Sequence, residues 1–297
     1  MRVGYVGLGA MGGALASHLV AKHALNVLDL NPAVVKSFVE RGARAADNGA
    51  DLARHSEVVL LCLPRSSDVR QALFAPGGIA VGMLPGTVVI DQTSGLPSET
   101  REFARMLAER GVTLLDAPVS GAMATAIAGT VSILASGDRP TFERVRSVLM
   151  DESPNVFYVG EAVGNGQTMK TVNNMMNASC RLATLELVAM GRKAGLSLDA
   201  MIEALNATTA RNFTTNGMLR AIAEGRQSTK FGLALQVKDM VQAVTLGADR
   251  GVTMPLCTVA AGLLQIGLNT LGEGAQLEQM IGVVESMAGT RLAAPKN

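Results

Sequence analysis

A chain of 297 residues is about two domains long and can bury sizeable cores. Its net charge of +1, with seven Phe, two Tyr and no Trp, offers neither the basic surface nor the stacking platforms that nucleic acid requires. Cys62, Cys180 and Cys257 are odd in number and widely spaced, and His18, His23 and His55 form no ligand pair, which speaks against a disulfide framework or a metal centre. The three cysteines read as ordinary buried thiols.

The first element is a short apolar run, Val3 to Val6, expected to be a buried strand. It leads into Gly7-Leu8-Gly9-Ala10-Met11-Gly12 and then a helix from Ala14 to Val20. Strand, Gly-x-Gly-x-x-Gly and helix, in that order, seat a pyrophosphate on a helix N-terminus. Gly7 would allow the tight turn, Gly9 would leave room for the phosphates, and Gly12 would let the helix pack close to the strand. A second strand, Leu25 to Asp29, ends in an acid. A carboxylate at that distance accepts hydrogen bonds from the ribose hydroxyls and repels a 2′-phosphate, so Asp29 predicts NAD in preference to NADP. The start of the chain shows no basic region followed by a long apolar stretch, so no targeting segment is expected and the cytoplasm is the expected compartment.

Further apolar runs follow at Val58 to Leu63, Thr87 to Asp91, Thr113 to Asp116 and Val131 to Ser136. Helical stretches such as Pro97 to Arg110 lie between them. Strands that are apolar on both faces and alternate with helices predict an α/β fold with a parallel, doubly wound sheet, a Rossmann domain over residues 1–163. The functional places in such a sheet are the strand ends. Here they carry Leu63-Pro64, Asp91-Gln92-Thr93-Ser94 and Asp116-Ala117-Pro118-Val119-Ser120-Gly121.

The glycine-rich stretch Val159 to Gly166 reads as a hinge or loop. Beyond it strand-like runs vanish. A long inter-domain helix is expected over about 166–193, within an all-α C-terminal domain of residues 164–297. Gly195, Gly251 and Gly272 look like helix ends, and Ser197 like the N-cap of a helix from Asp199 to Leu205. Val252 to Leu271 carries no charge and approaches membrane-spanning length, but Pro255, Gln265 and Asn269 interrupt it, so a buried helix is expected and no membrane contact. Together with the apolar stretch from Gln167 to Lys193, it presents more apolar surface than one small helical domain covers. That predicts self-association, as a dimer or tetramer, through the helical half.

Lys170 and Asn174 stand four apart on the long helix and share a face. An ammonium beside an amide suits a proton-transfer site, and a lysine that accepts a hydroxyl proton must first be neutral. On spacing alone, a solvated helix lysine with polar neighbours is the plainer reading.

Four motifs in order change that. Gly7 to Gly12, Asp116 to Gly121, Gly166-Gln167-Thr168-Met169-Lys170-Thr171-Val172-Asn173-Asn174, and Phe231 with Lys238-Asp239 resemble the signatures of the β-hydroxyacid dehydrogenase family, and the resemblance covers nearly the whole chain. It implies that Lys170 is the catalytic acid/base and that Asn174 holds the substrate near it. It implies that Ser120, Gly121 and the backbone of Ala122 bind a substrate carboxylate. Gly7, Leu8, Gly9, Ala10, Met11, Gly12 and Asp29 would hold the cofactor, with Leu63, Pro64, Thr93, Ser94 and Lys238 also touching it. The implied reaction is NAD-dependent oxidation of a small 3-hydroxy acid, 3-hydroxyisobutyrate-like, to its semialdehyde, or the reverse.

Two departures bear on substrate choice. Ala122 stands where the family usually has a second glycine. Asn177 stands where the phosphogluconate members carry a glutamate, which argues against decarboxylation. Asp29 argues against an NADPH-linked semialdehyde reductase, and Lys170 against imine reductases. The joint presence of Lys170, Asn174 and Ser120 argues against an inactive nucleotide-sensing scaffold. Arg211 could point at a substrate anion, although a surface arginine between helices is the simpler reading.

Overall fold

The computed structural model describes residues 1–293. It divides into two compact units, Met1–Lys170 and the chain from Thr171 onward. The division falls inside the long helix, beyond the glycine-rich join at 163/164.

In the first unit, strands β1 (Arg2–Val6), β2 (Ala24–Leu28), β3 (Arg44–Ala45), β4 (Val58–Leu61), β5 (Val88–Asp91) and β6 (Thr113–Asp116) form one sheet in the order β3-β2-β1-β4-β5-β6. Every pairing in it is parallel. The apolar runs explain this directly. Val58 and Leu60 face one core with Val3, Tyr5, Val88 and Ile90, while Val59 and Leu61 face the other with Val6, Val89 and Leu114. Side chains alternate across a strand, so only an unbroken apolar run satisfies two cores at once. Each such side chain contributes about 1.5–3 kcal/mol on burial.

The run from Val131 to Ser136 does not join this sheet. Its central residues form β8 (Ser132–Ala135) of a second, three-stranded sheet, between β7 (Val119–Ser120) and β9 (Val156–Tyr158). β7 pairs with β8 antiparallel and β9 pairs with β8 parallel. A single bridge, Asp116 to Ser136, connects the end of β6 to this small sheet.

The helix Asn165–Lys193 opens in the first unit and continues into the second. The second unit also contains Leu198–Ala207, capped by the Ser197 side chain, then Leu219–Glu224, Leu233–Asp249, Pro255–Leu271 and Met280–Ala288. One core gathers Met175, Ala178 and Leu182 against Val237, Met240, Leu264 and Met280, and another gathers Leu185 and Val188 against Ile202, Leu219 and Val284.

Two further expectations need correction. The uncharged segment forms the helix Pro255–Leu271, but it is buried only along Ala260, Leu264, Gly267 and Leu268, while Leu256, Val259 and Ile266 are exposed. Helical period turns those residues to opposite sides, and one core covers only one side. Among the cysteines, Cys180 is exposed because it lies on the outer stripe of the long helix. Among the described residues no helix is long and apolar enough to cross a membrane.

Candidate active site

The glycine loop leaves the C-terminal end of β1 between β2 and β4. Gly7 has φ +91°, and a Cβ there would stand 2.3 Å from the carbonyl oxygen of Cys62. A Cβ on Gly12 would stand 2.1 Å from the carbonyl oxygen of Gly7. A Cβ on Gly9 would meet nothing within 4 Å. The open space therefore lies at the start of the helix Ala10–Leu19, where first-turn N–H groups lack intrahelical partners. The shape and donors of this loop fit a pyrophosphate.

β2 stops at Leu28, which leaves Asp29 just past the strand end. Its Oδ2 accepts a hydrogen bond from the Leu8 N–H at 2.6 Å, and its Oδ1 accepts one from the Asn31 N–H at 2.8 Å. The carboxylate thus ties the strand end to the glycine loop. Each oxygen keeps a second lone pair, so the group can still receive ribose hydroxyls.

Leu63 and Thr93 are joined as well. The Leu63 N–H donates to Thr93 Oγ1 at 3.1 Å, and the Thr93 N–H donates to Asp91 Oδ1 at 3.0 Å. Burial pushes the Asp91 carboxyl up to about 7, although its bonds to Thr93 oppose that rise.

Ser120 is half-buried in β7, and Gly121 and Ala122 are exposed beside it. A Cβ on Gly121 would come within 2.5 Å of Thr125 Oγ1 and 2.8 Å of Val131 Cγ1. Residue 121 therefore has no room for a side chain unless Thr125 or Val131 moves.

The anchorage of the Lys170 helix is built from β6. Buried Asp116 accepts from the Gly164 N–H at 2.8 Å through Oδ1 and from the Gln167 N–H at 2.9 Å through Oδ2. Ser136 Oγ donates to Asp116 Oδ1 at 2.6 Å and accepts from the Gly166 N–H at 2.9 Å. Three N–H groups around the helix start are thus held by one carboxylate and its partner hydroxyl. Burial raises the Asp116 pKa, and these same hydrogen bonds pull it down. Lys170 follows within the first two turns and is half-buried.

Asn174 lies one turn beyond Lys170 and belongs to the second unit. Its Nδ2 donates to Asp239 Oδ2 at 2.8 Å, and Lys238 Nζ lies 3.2 Å from Asp239 Oδ1. Asp239 therefore joins two of the residues singled out from the sequence. Arg211 is exposed in the segment between Leu198–Ala207 and the next helical turn.

Sequence reasoning assigned no task to Asp116, Gln167 or Asp239 individually. The partners of Asp116 at the helix start are 48 and 51 positions away, and Asn174 and Asp239 are 65 apart. No local spacing exposes such pairs.

A dinucleotide-binding sheet, a glycine loop and a helical second unit define a nicotinamide-dependent dehydrogenase. Residues 2–160 match the family described as the NAD binding domain of 6-phosphogluconate dehydrogenase. Residues 164–284 match that described as NAD-binding of NADP-dependent 3-hydroxyisobutyrate dehydrogenase. The chain is 32% identical to 2-(hydroxymethyl)glutarate dehydrogenase of Eubacterium barkeri, over 99% of this chain and 98% of the relative. It is 32% identical to 3-hydroxyisobutyrate dehydrogenase of Pseudomonas aeruginosa, over 89% and 91% respectively. A crystal structure of 3-hydroxyisobutyrate dehydrogenase from Salmonella typhimurium is similar with a TM-score of 0.80 at 27% identity, covering 94% of this chain and 98% of that one. The chain belongs to the β-hydroxyacid dehydrogenase family and is an NAD(P)-dependent enzyme acting on CH–OH.

Proposed function

We propose that the enzyme oxidises a small 3-hydroxy acid of the 3-hydroxyisobutyrate type to its semialdehyde, or runs the reverse reduction, with NAD as cofactor and Lys170 as acid/base. One observation carries this reading. The segment Asp116 to Gly121 supplies both the carboxylate that anchors the Lys170 helix and the Ser120–Gly121 backbone offered to a substrate anion. In this reading the segment that anchors the helix of the proton-transfer group also carries the carboxylate site. The names of both relatives describe a hydroxymethyl group on the carbon that bears a carboxylate, which is the substrate class this arrangement suits.

When bound, the nicotinamide supplies the hydride acceptor or donor. The chain handles the proton and the orientation. In oxidation neutral Lys170 Nζ takes the hydroxyl proton as hydride leaves the carbinol carbon, and in reduction the ammonium returns it. The Ser120 hydroxyl and the amides of Gly121 and Ala122 would hold the carboxylate. Asn174 would hold the substrate hydroxyl side of Lys170. Leu63, Pro64, Thr93 and Ser94 would line the nicotinamide end, and Lys238 would also touch the cofactor. Asp29 would favour NAD, because a 2′-phosphate brought near its carboxylate is repelled.

The second unit also supports self-association. Val172, Met176, Leu187 and Met190 form an exposed apolar stripe on the long helix, and Leu256, Val259 and Ile266 form another on Pro255–Leu271.

A panel of hydroxy acids assayed at the nicotinamide absorbance band, with NAD and NADP in parallel, tests the reading. Oxidation of 3-hydroxy acids with NAD, at least tenfold faster than of their methyl esters, is expected. Equal rates for acid and ester would remove the carboxylate site, and a preference for NADP would remove the role of Asp29.

A further inference from the structure

We propose that Gln167 is a positioning residue, one that fixes Lys170 relative to the Thr93–Gly95 segment. This rests on the reading of Lys170 as the proton-transfer group. The Gln167 side chain is 1% exposed. Its Nε2 donates to the Thr93 carbonyl oxygen at 2.7 Å, and its Oε1 accepts from the Gly95 N–H at 2.9 Å. One amide therefore grips a loop on both sides of Ser94. Its orientation is fixed, because a carbonyl oxygen can only accept and a backbone N–H can only donate.

The grip connects two strand ends. The Gln167 backbone N–H is held by Asp116 at the end of β6, while its side chain holds the loop that follows β5. That loop is pinned from another side, since the Leu96 N–H donates to Ser66 Oγ at 2.9 Å. Lys170 lies three residues along the helix, about 4.5 Å in rise. One side chain thus ties the backbone on both sides of Ser94 directly to the helix that carries Lys170. A helix start capped by Asp116 alone would fix the backbone but would lack this direct bond to the Thr93–Gly95 loop, which is also bonded to Asp91 and Leu63.

The chemistry of the clamp gives a test that space-filling does not. Gln167→Leu keeps most of the volume and loses both hydrogen bonds. Gln167→Glu keeps the shape and can accept from Gly95, but only its protonated form can donate to Thr93. Ionised, it sets a carboxylate oxygen against a carbonyl oxygen. Misplacement of reacting groups by about 1 Å costs on the order of a hundredfold in rate.

The experiment measures kcat, KM, NAD affinity by fluorescence titration and the pH profile for wild type, Gln167→Leu, Gln167→Glu and Lys170→Met. For Gln167→Leu we expect kcat at least about tenfold lower, with KM for the hydroxy acid and Kd for NAD within about threefold of wild type. For Gln167→Glu we expect kcat, relative to wild type, to rise as pH falls. Wild-type kcat in folded Gln167→Leu, or a Gln167→Glu profile parallel to wild type, would overturn the proposal. If the leucine variant does not fold, the glutamate variant's pH profile decides alone. Lys170→Met separates the two readings. Retained turnover there overturns the assignment of Lys170 itself, whereas lost turnover beside a normal Gln167→Leu overturns only the positioning role.

Discussion

Gly121 has no space for a side chain, because Thr125 Oγ1 and buried Val131 occupy the place a Cβ would take. Gly121→Val should therefore distort the segment proposed to bind the substrate carboxylate. The expected outcome is a KM for the hydroxy acid raised about tenfold or more with little change in KM for NAD, read from initial rates with each substrate varied in turn. At Lys170, substitution by Met removes the proposed proton acceptor and leaves the glycine loop untouched. Turnover should fall about a hundredfold or more while NAD still binds in a titration. Equal loss of both would assign Lys170 to cofactor binding. Asp29→Arg should weaken NAD and improve NADP in parallel titrations, and it also breaks the bonds to Leu8 and Asn31. Residues such as Gly7, Gly12 and Asp29 were legible because their constraint is local, a turn or a strand end within one βαβ unit. Gln167 was visible only as a letter in a motif, because its partners at Thr93 and Gly95 lie 74 and 72 positions away.

At the scale of elements, the parallel strands were legible because burial on both faces demands unbroken apolar runs. β3 and β7 were not, since two residues carry no periodicity and both Arg44 and Ala45 are exposed. The helix Arg139–Glu152 ends in a buried acid that sequence reasoning passed over. Gln92 Nε2 donates to Glu152 Oε2 at 2.5 Å, and Tyr5 OH donates to Gln92 Oε1 at 2.7 Å. Burial pushes the Glu152 carboxyl up to about 8 from its ordinary value of 4.5. Between those values the unfolded chain releases the proton and the folded protein keeps it. The neutral acid's contribution to stability is therefore complete below about pH 4.5 and lost as pH rises towards 8. Glu152→Gln retains a neutral group of the same shape. Its Tm should fall several degrees less than that of wild type between pH 5 and pH 8, as read by calorimetry. Parallel curves for the two proteins would show that Glu152 does not titrate in this way.

For the whole molecule, the change from strand runs to helical period was legible as two successive architectures, and the exposed stripes give the association prediction its test. Light scattering at micromolar concentration should return at least twice the chain mass of 30.8 kDa. Replacing Met176 and Leu187 by Glu should shift the population towards the single chain, because charge on an apolar stripe opposes its burial. The start of the long helix bears on how such proteins can be recombined. Its first six residues, Asn165 to Lys170, fall in the first unit, and the rest help form the cores of the second. A chimera spliced at the glycine-rich join after Val163 would bring a foreign Gly164, Gly166 and Gln167 to this chain's Asp116, Ser136 and Thr93. Any donor residue but proline supplies the backbone N–H groups, whereas the bond to Thr93 needs the glutamine side chain, so a crossover meant to exchange second units is better placed after Lys170.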